Sequence, residues 1–329
     1  MEYVKLNNGV EMPKVGLGTF LIPQENLEET LIKAYELGYR QFDTAWRYHN
    51  EADIARIFKA NGIKREDVFI TTKVNIDALY EGGYKFGWRR IFNKKGLTIE
   101  QAVQESFDNL ETDYIDLFLI HHPWPMFMDM WKVLTKFYKE GRIRAIGVSS
   151  FLPPHIEALQ EVSDVVPAVN QFEISPLNTQ KDLIKYCQEH DIAVEAMSTF
   201  SHFRSVEPRP EIIENPLIKS IADKYGGKST VQVVLRWMNQ QGIVIIPKTW
   251  NIKHLADNIN IFDFKLTDED MAAIDSLDQG RYLNYSPYIA HAGLPKKYRK
   301  WEGFKDIKRY PDWYINRSSF GRWLSDYMN

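Results

Sequence analysis

The chain has 329 residues, 44% of them hydrophobic and 26% charged, which excludes a disordered chain and leaves ample material for a globular core. A net charge of −3 excludes a protein whose whole surface binds nucleic acid, and a single cysteine, Cys187, excludes an internal disulfide or a cysteine-rich zinc site. The first residues lack a basic and then apolar leader, and no apolar run reaches about 18 residues, so a cytoplasmic protein with no membrane or nucleic-acid partner is expected.

In chain order, Val4–Leu6, an Asn7-Asn8-Gly9 turn and Val10–Met12 read as a β-hairpin. Eight apolar runs then read as buried strands: Lys14–Leu17, Gln41–Asp43, Phe69–Lys73, Leu117–Ile120, Ala145–Val148, Ala168–Gln171, Ala193–Ala196 and Val244–Ile246. Helical spacing predicts helices over Leu27–Leu37, Glu51–Asn61, Ile99–Leu110, Met128–Glu140, Pro154–Val162, Asp182–His190, Val231–Gln241 and Lys253–Asn260. Such an alternation predicts an α/β chain, a (β/α)8 TIM barrel with right-handed crossovers behind an N-terminal β-hairpin. An open doubly wound sheet is the alternative, weakened because Gly16-Leu17-Gly18 supplies only two of the three glycines of a dinucleotide-binding turn. Cys187 falls inside a helical pattern and is expected to be a buried, inert thiol.

Three segments exceed what a minimal barrel needs: Asn75 to Leu97, Thr199 to Asn215, and everything after Leu277. The first two follow strands three and seven and so should border the C-terminal mouth, where barrel active sites lie. The first carries Lys85, Arg89, Arg90, Lys94 and Lys95 among aromatics, which suggests an anionic or aromatic substrate or, equally, a solvated basic loop. Beyond Gly280 ten basic residues face four acidic ones, so the tail is +6 and the body −9, and the tail holds 12 of the 44 aromatics. That content is hard to leave in water, so a barrel over 1–280 is expected to carry 281–329 as an ordered basic, aromatic extension packed on it.

Polar groups recur where core strands should end: Asp43, Lys73, His121, Ser149, Gln171 and Lys248. In a barrel these positions converge on one mouth. Asp43 and Lys73, on adjacent strands, would be half buried and would pair. Tyr48 follows Asp43 by five residues, and a nearby ammonium would lower its pKa toward the range of a useful acid–base catalyst. His121 would donate a hydrogen bond to an oxygen over Tyr48. These groups suit addition to a carbonyl or its reverse, but none is an electron source, so a hydride cofactor is implied.

The sequence resembles the aldo-keto reductase family. The resemblance is carried by Gly16-Leu17-Gly18-Thr19-Phe20, Phe42-Asp43-Thr44-Ala45 with Tyr48, Asn50 and Glu51, Phe69 to Lys73, Asp116 to His121, Ile146 to Ser149, Pro167 to Gln171 and Ile246 to Thr249, in family order up to about Leu277. It implies a (β/α)8 barrel, NADP(H) held at the C-terminal mouth, and a small-molecule carbonyl or alcohol as substrate. It also implies Tyr48 as general acid, tuned by Lys73 and Asp43, with His121 orienting the carbonyl. Ser149, Ser150 and Gln171 match positions that hold the nicotinamide carboxamide, and Gly18, Thr19 and Asp43 those beside its ribose. Met197 matches the position covering the ring, Ser198 and Phe200 the pyrophosphate segment, and Lys248, Thr249, His254 and Asn258 the adenosine end. Phe20, Tyr48, His121, His122 and Trp124 would line the substrate pocket.

Four departures stand out: Ser150 where the family usually has Asn, Met197 where it has a stacking aromatic, His254 where it has Arg facing the 2′-phosphate, and His122 where it often has Trp. A histidine is only partly charged at neutral pH, so NAD(H) use stays open beside NADP(H). A cofactor-binding sensor or interaction module with little turnover is the alternative to an enzyme. A Lys73 Schiff base is a lesser alternative. No metal is expected: there is no His-Glu-x-x-His, and His121 and His122, as consecutive strand residues, should point to opposite faces. A monomer or weak homo-oligomer is expected.

Overall fold

A computed structural model of the chain describes residues 1–75, 78, 85–86, 89–90, 96–124, 126–201, 209–281 and 294–300. The Asn-Asn-Gly turn joins β1 (Tyr3–Lys5) to β2 (Glu11–Pro13) in an antiparallel hairpin, with Val4 opposite Met12. Gly9 at its tip has φ 88°, a left-handed conformation that glycine takes without strain.

The barrel strands follow as β3 (Gly16–Gly18), β4 (Gln41–Asp43) and β5 (Phe69–Val74); then, after the short antiparallel pair β6 (Lys85–Phe86) and β7 (Arg89–Arg90), as β8 (Ile115–Ile120), β9 (Ile143–Ser149), β10 (Val169–Glu173), β11 (Ala193–Met197) and β12 (Val244–Ile245). Neighbours pair in parallel in the order β3, β4, β5, β8, β9, β10, β11, β12. A parallel bridge between Val15 and Ile245, with Ile245 N–H donating to Lys14 C=O at 3.0 Å, closes the ring. The barrel is thus the (β/α)8 form rather than an open doubly wound sheet.

The helices are α1 (Gln24–Glu36), α2 (Glu51–Ala60), α3 (Ile99–Asn109), α4 (Phe127–Lys139), α5 (Pro153–Leu159), α6 (Lys181–Glu189), α7 (Pro210–Ile213), α8 (Pro216–Asp223), α9 (Thr230–Gln240), α10 (Ile252–Ile259) and α11 (Asp268–Asp275). Their starts follow local chemistry: Thr98 with Gln101, and Ser229 with Gln232, form reciprocal capping boxes on α3 and α9. α7, α8 and α11 were not expected from periodicity; all three are short, at most eight residues. Two of them announce themselves differently, by Asn215 before Pro216 and by Thr267 before three acidic residues.

The core has two compartments. Phe42, Ile70, Phe118, Ile146 and Val194 face outward under the helices, whereas Phe69, Leu117, Leu119, Ala145, Val169 and Val244 fill the lower barrel interior against Leu6 and Met12 of the hairpin. Cys187 is fully buried, Asn170 Nδ2 lies 3.7 Å from its sulfur, and burial pushes the thiol up to about 12. It is therefore inert.

Of the tail, Leu294 is buried in the main core, and a 3-10 turn over Lys296–Lys300 lies against α5. Lys297 Nζ is 2.6 Å from Glu161, and the Tyr298 hydroxyl donates to the same carboxylate. Apart from Arg281 and 294–300, the expected 281–329 extension lies outside the described residues, as do most of the basic 75–97 segment and residues 202–208.

Candidate active site

The backbone after β4 is tied down before it reaches Tyr48. Thr19 N–H and Oγ1 both donate to Asp43 C=O, at 3.0 and 2.9 Å, and Thr44 Oγ1 donates to Asn50 Oδ1 at 2.6 Å. Asn50 Nδ2 in turn donates to Thr19 Oγ1 and to Thr19 C=O. Glu51 takes Thr72 Oγ1 at 2.6 Å and Asn109 Nδ2 at 3.1 Å. From this frame a one-turn 3-10 helix, Trp46–Tyr48, lifts the Tyr48 ring to the mouth, closed by His49 in the left-handed region. The ring lies 4.7 Å from Phe20 and 5.8 Å from His121, centroid to centroid.

Beneath it, Lys73 Nζ donates to both Asp43 oxygens at 2.7 Å and to Thr44 C=O at 2.9 Å. Both side chains are buried, so the pair is tolerable only because all three ammonium hydrogens are placed. An amine committed in this way does not suit the Schiff-base alternative. Lys73 Nζ is 5.1 Å from the Tyr48 ring centroid.

Tyr48 corrects the expectation that Lys73 lowers its pKa. The protein packed around the phenol, then the Asp43 carboxylate and Glu195, hold it well above the ordinary tyrosine value, with Arg47 opposing. Desolvation of the phenolate outweighs the pull of Lys73, whose ammonium is shared with the Asp43 carboxylate.

His121 lies just past β8, and burial, followed by His122, Lys73 and Arg47, keeps it well below the ordinary histidine value and hence neutral. Asn75 Nδ2 is 3.4 Å from its Nδ1; when that amide donates, Nε2 carries the ring hydrogen. His122 does not point to an opposite face. The strand ends at Ile120, and in the bend beyond it the two rings stack at 4.3 Å and 25°, with Trp124 5.4 Å from His122. Both His122 and Trp124 are buried.

A cavity of about 130 Å³ opens beside these groups, lined by Gly18, Phe20, Asp43, Tyr48, Gln171, Met197, Ser198, Phe200 and Lys248 among others. Gly18 keeps its floor clear, since a Cβ there would lie a tight 3.0 Å from Ile246 C=O. Ser149 ends β9 level with Gln171, and the Oγ atoms of Ser149 and Ser150 are buried with no hydrogen-bond partner. Two orphaned hydroxyls next to Gln171, whose own side chain lines the cavity, fit a polar ligand group such as a carboxamide. Ser150 holds φ 62°, a left-handed conformation that asparagine tolerates better than serine.

Other expected contacts are placed less directly. Thr19 is fully buried with its hydroxyl on Asp43 C=O. Thr249 Oγ1 accepts from Asn251 N–H at 3.1 Å, His254 is exposed on the first turn of α10, and Asn258 is buried on the same helix. Gln171 does not end its strand, since β10 runs on to Glu173.

Two residues escaped the sequence reading. Gln41 and Glu195 were absorbed into apolar runs as ordinary strand positions, yet both are fully buried inside the barrel, with Gln41 Nε2 donating to Glu195 Oε1 at 2.5 Å. The available signal was a charged residue in mid-strand of an all-parallel sheet, where nothing charged is buried without partners. Among the described residues no three His, Cys, Asp or Glu side chains gather as a metal site, and no helix is long and apolar enough to cross a membrane.

A model of the Aldo/keto reductase family matches residues 14–279. The chain is 40% identical over 289 residues to the glyoxal reductase of Bacillus subtilis, covering 86% of this chain and 95% of that one. It is similar to the solved aldo/keto reductase of Brucella melitensis, with TM-score 0.72 and 35% identity over 84% of this chain and 99% of that one. A Bombyx mori aldo-keto reductase solved in complex with NADP gives TM-score 0.74 and 29% identity over 92% of this chain and 98% of that one.

Proposed function

The chain belongs to the aldo/keto reductase family, and from that premise we propose that it reduces aldehydes and ketones with NADPH, Tyr48 giving the proton and His121 holding the carbonyl oxygen. The observation that carries this reading is the meeting of Tyr48 and neutral His121 over the buried Lys73–Asp43 pair, beside a cavity that Tyr48, Asp43 and Gln171 line.

When bound, the nicotinamide supplies the hydride that no side chain supplies. Ser149 and Gln171 would hold its carboxamide, with Ser150 alongside, and Gly18, Thr19 and Asp43 would flank the ribose. Met197 would cover the ring by dispersion. Ser198 and Phe200 would line the pyrophosphate stretch, and Lys248, Thr249, His254 and Asn258 the adenosine end.

The direction of the Tyr48 shift suits the role of general acid. A phenol held above its usual value keeps its proton at neutral pH, as a general acid must. An alkoxide is a much stronger base than a phenolate, so transfer from Tyr48 to the oxygen formed by reduction still runs downhill. As the proton leaves, Lys73 is the nearby cation able to stabilise the charge left on the ring. His121, neutral with hydrogen on Nε2, would donate to the carbonyl oxygen and fix it over the phenol.

A small dicarbonyl such as glyoxal, on which the Bacillus subtilis relative is named to act, is the first substrate to try. The test follows NADPH consumption with a panel of aldehydes and ketones. Tyr48→Phe should lower kcat by about 10²–10⁴ while NADPH affinity stays within about twofold. NADPH binding with no turnover of any carbonyl, unchanged in Tyr48→Phe, would sink the enzyme and leave the cofactor-binding sensor.

A further inference from the structure

Glu195 is a buried carboxylate to which the mechanism above gives no more than a minor part in raising the Tyr48 pKa. It lies in the middle of β11, level with Gln171 on β10. Gln171 Nε2 donates to Glu195 Oε2 at 2.5 Å and to Asp43 Oδ2 at 2.9 Å. Both hydrogens of the Gln171 amide are therefore held by carboxylates on either side. Turning that amide over would set its oxygen against two acceptors with no hydrogen between them. Only one orientation satisfies the pair, and it leaves the amide oxygen to the cavity that Gln171 lines.

We propose that Glu195 is a positioning residue of the hydride-transfer site: with Asp43 it holds the nitrogen of the Gln171 amide inward, so that the oxygen alone faces the mouth and accepts from the N–H of the nicotinamide carboxamide. The inference rests on the cofactor reading above. Through that contact Glu195 would help to hold the carboxamide in place beside Tyr48.

The arrangement survives protonation. Burial and the Asp43 carboxylate push Glu195 up to about 7, against the pull of Gln171, Lys73 and Gln41. The groups facing it are Asp43 and Gln41 from β4, Lys73 from β5 and Gln171 from β10, with the Tyr48 phenol above; β3 and β12 bring no titratable side chain. A proton on Oε1 would face Gln41, whose buried side-chain oxygen has no partner and becomes its acceptor when that amide rotates. Oε2 continues to accept from Gln171 in either state.

The test is a cycle between protein and cofactor. The 3-acetylpyridine analogue of NADP⁺ carries a methyl ketone in place of the carboxamide and has no N–H to give Gln171. Dissociation constants for NADP⁺ and this analogue are measured by quenching of tryptophan fluorescence in the wild-type, Glu195→Gln and Glu195→Met proteins. The wild type should favour NADP⁺ by about tenfold, the worth of one good hydrogen bond. Glu195→Gln still accepts from Gln171 and donates to Gln41, so it should keep that ratio within about twofold. Glu195→Met has similar length and no acceptor, and should bring the ratio near one by weakening NADP⁺ alone. A wild-type ratio near one, an unchanged ratio in Glu195→Met, or a lost ratio in Glu195→Gln overturns the inference. If the methionine protein does not fold, Glu195→Ala is read in the same way. A wild-type protein that binds neither nucleotide overturns the cofactor reading instead.

Discussion

The two halves of the barrel interior face one axis and are filled with opposite chemistry. In the lower half Phe69, Leu117, Leu119, Val169 and Val244 close on Leu6 and Met12 of the hairpin. In the upper half Gln41, Asp43, Lys73, Gln171 and Glu195 occupy the same cross-section, equally shut away from water. The lower half needs only volume and shape, because burying apolar surface is favourable wherever it fits. The upper half needs every donor matched to an acceptor, because a buried charge without a partner costs several kcal/mol. One end of the barrel thus contributes stability, and the other holds a fixed set of charges under the mouth at some expense to it.

Breaking one residue in each half exposes the difference. Lys73→Met strands the buried Asp43 carboxylate and should cost about 3–5 kcal/mol of stability together with most of the turnover. Leu119→Ala removes packing from the lower plug and should cost about 2–5 kcal/mol, with kcat per folded molecule unchanged. Urea unfolding read beside turnover checks both. A tenfold fall in kcat for Leu119→Ala would mean the halves are not independent.

Glu195 sharpens the contrast through pH. Its carboxyl is raised to about 7 from an ordinary 4.5, chiefly by burial and by Asp43, with Lys73 opposing. The folded chain therefore binds that proton more tightly than the unfolded chain. Its contribution is fully present below about pH 4.5 and is lost as pH rises to about 7, up to roughly 3 kcal/mol at 1.36 kcal/mol per unit. Glu195→Gln should remove that loss and melt higher than the wild type at pH 8, with little advantage near pH 4.5. Thermal unfolding at the two pH values decides it, and parallel shifts in both proteins would refute the assignment.

The lower half was legible in the sequence because a strand buried on both faces must be an apolar run, and eight of them alternating with helices leave few folds. Asp43, Lys73 and His121 were legible because an ionisable group at a strand end is anomalous. Glu195 was legible only as an anomaly in mid-strand, and its meeting with Gln41 was not, since which side chains point inward depends on barrel register. The direction of the Tyr48 shift was missed for a related reason. The Asp43–Lys73 pair was expected, but how completely the protein packs around the Tyr48 phenol, the largest cause of its shift, is set by tertiary packing. The stacking of His121 on His122 was missed because both were treated as strand residues, although the apolar run and β8 alike stop at Ile120.

At the outer rim the polar end meets solvent, and charge should matter least there. Lys248 is the half-buried cation of this end, its pKa lowered by desolvation, with its ammonium 5.4 Å from the Trp250 ring. His254 sits beyond it on the exposed first turn of α10, where the Asn251 side chain caps the Lys253 and His254 backbone amides. His254→Arg would add a permanent cation whose planar fork suits a phosphate, in a setting where water and salt screen it. NADPH should bind about three- to tenfold tighter, or about 1 kcal/mol, with the gain shrinking at high salt. NADH, which lacks the 2′-phosphate, should bind as before. Titrating both nucleotides at low and high ionic strength checks this, and an equal gain for NADH would move the adenosine end away from α10.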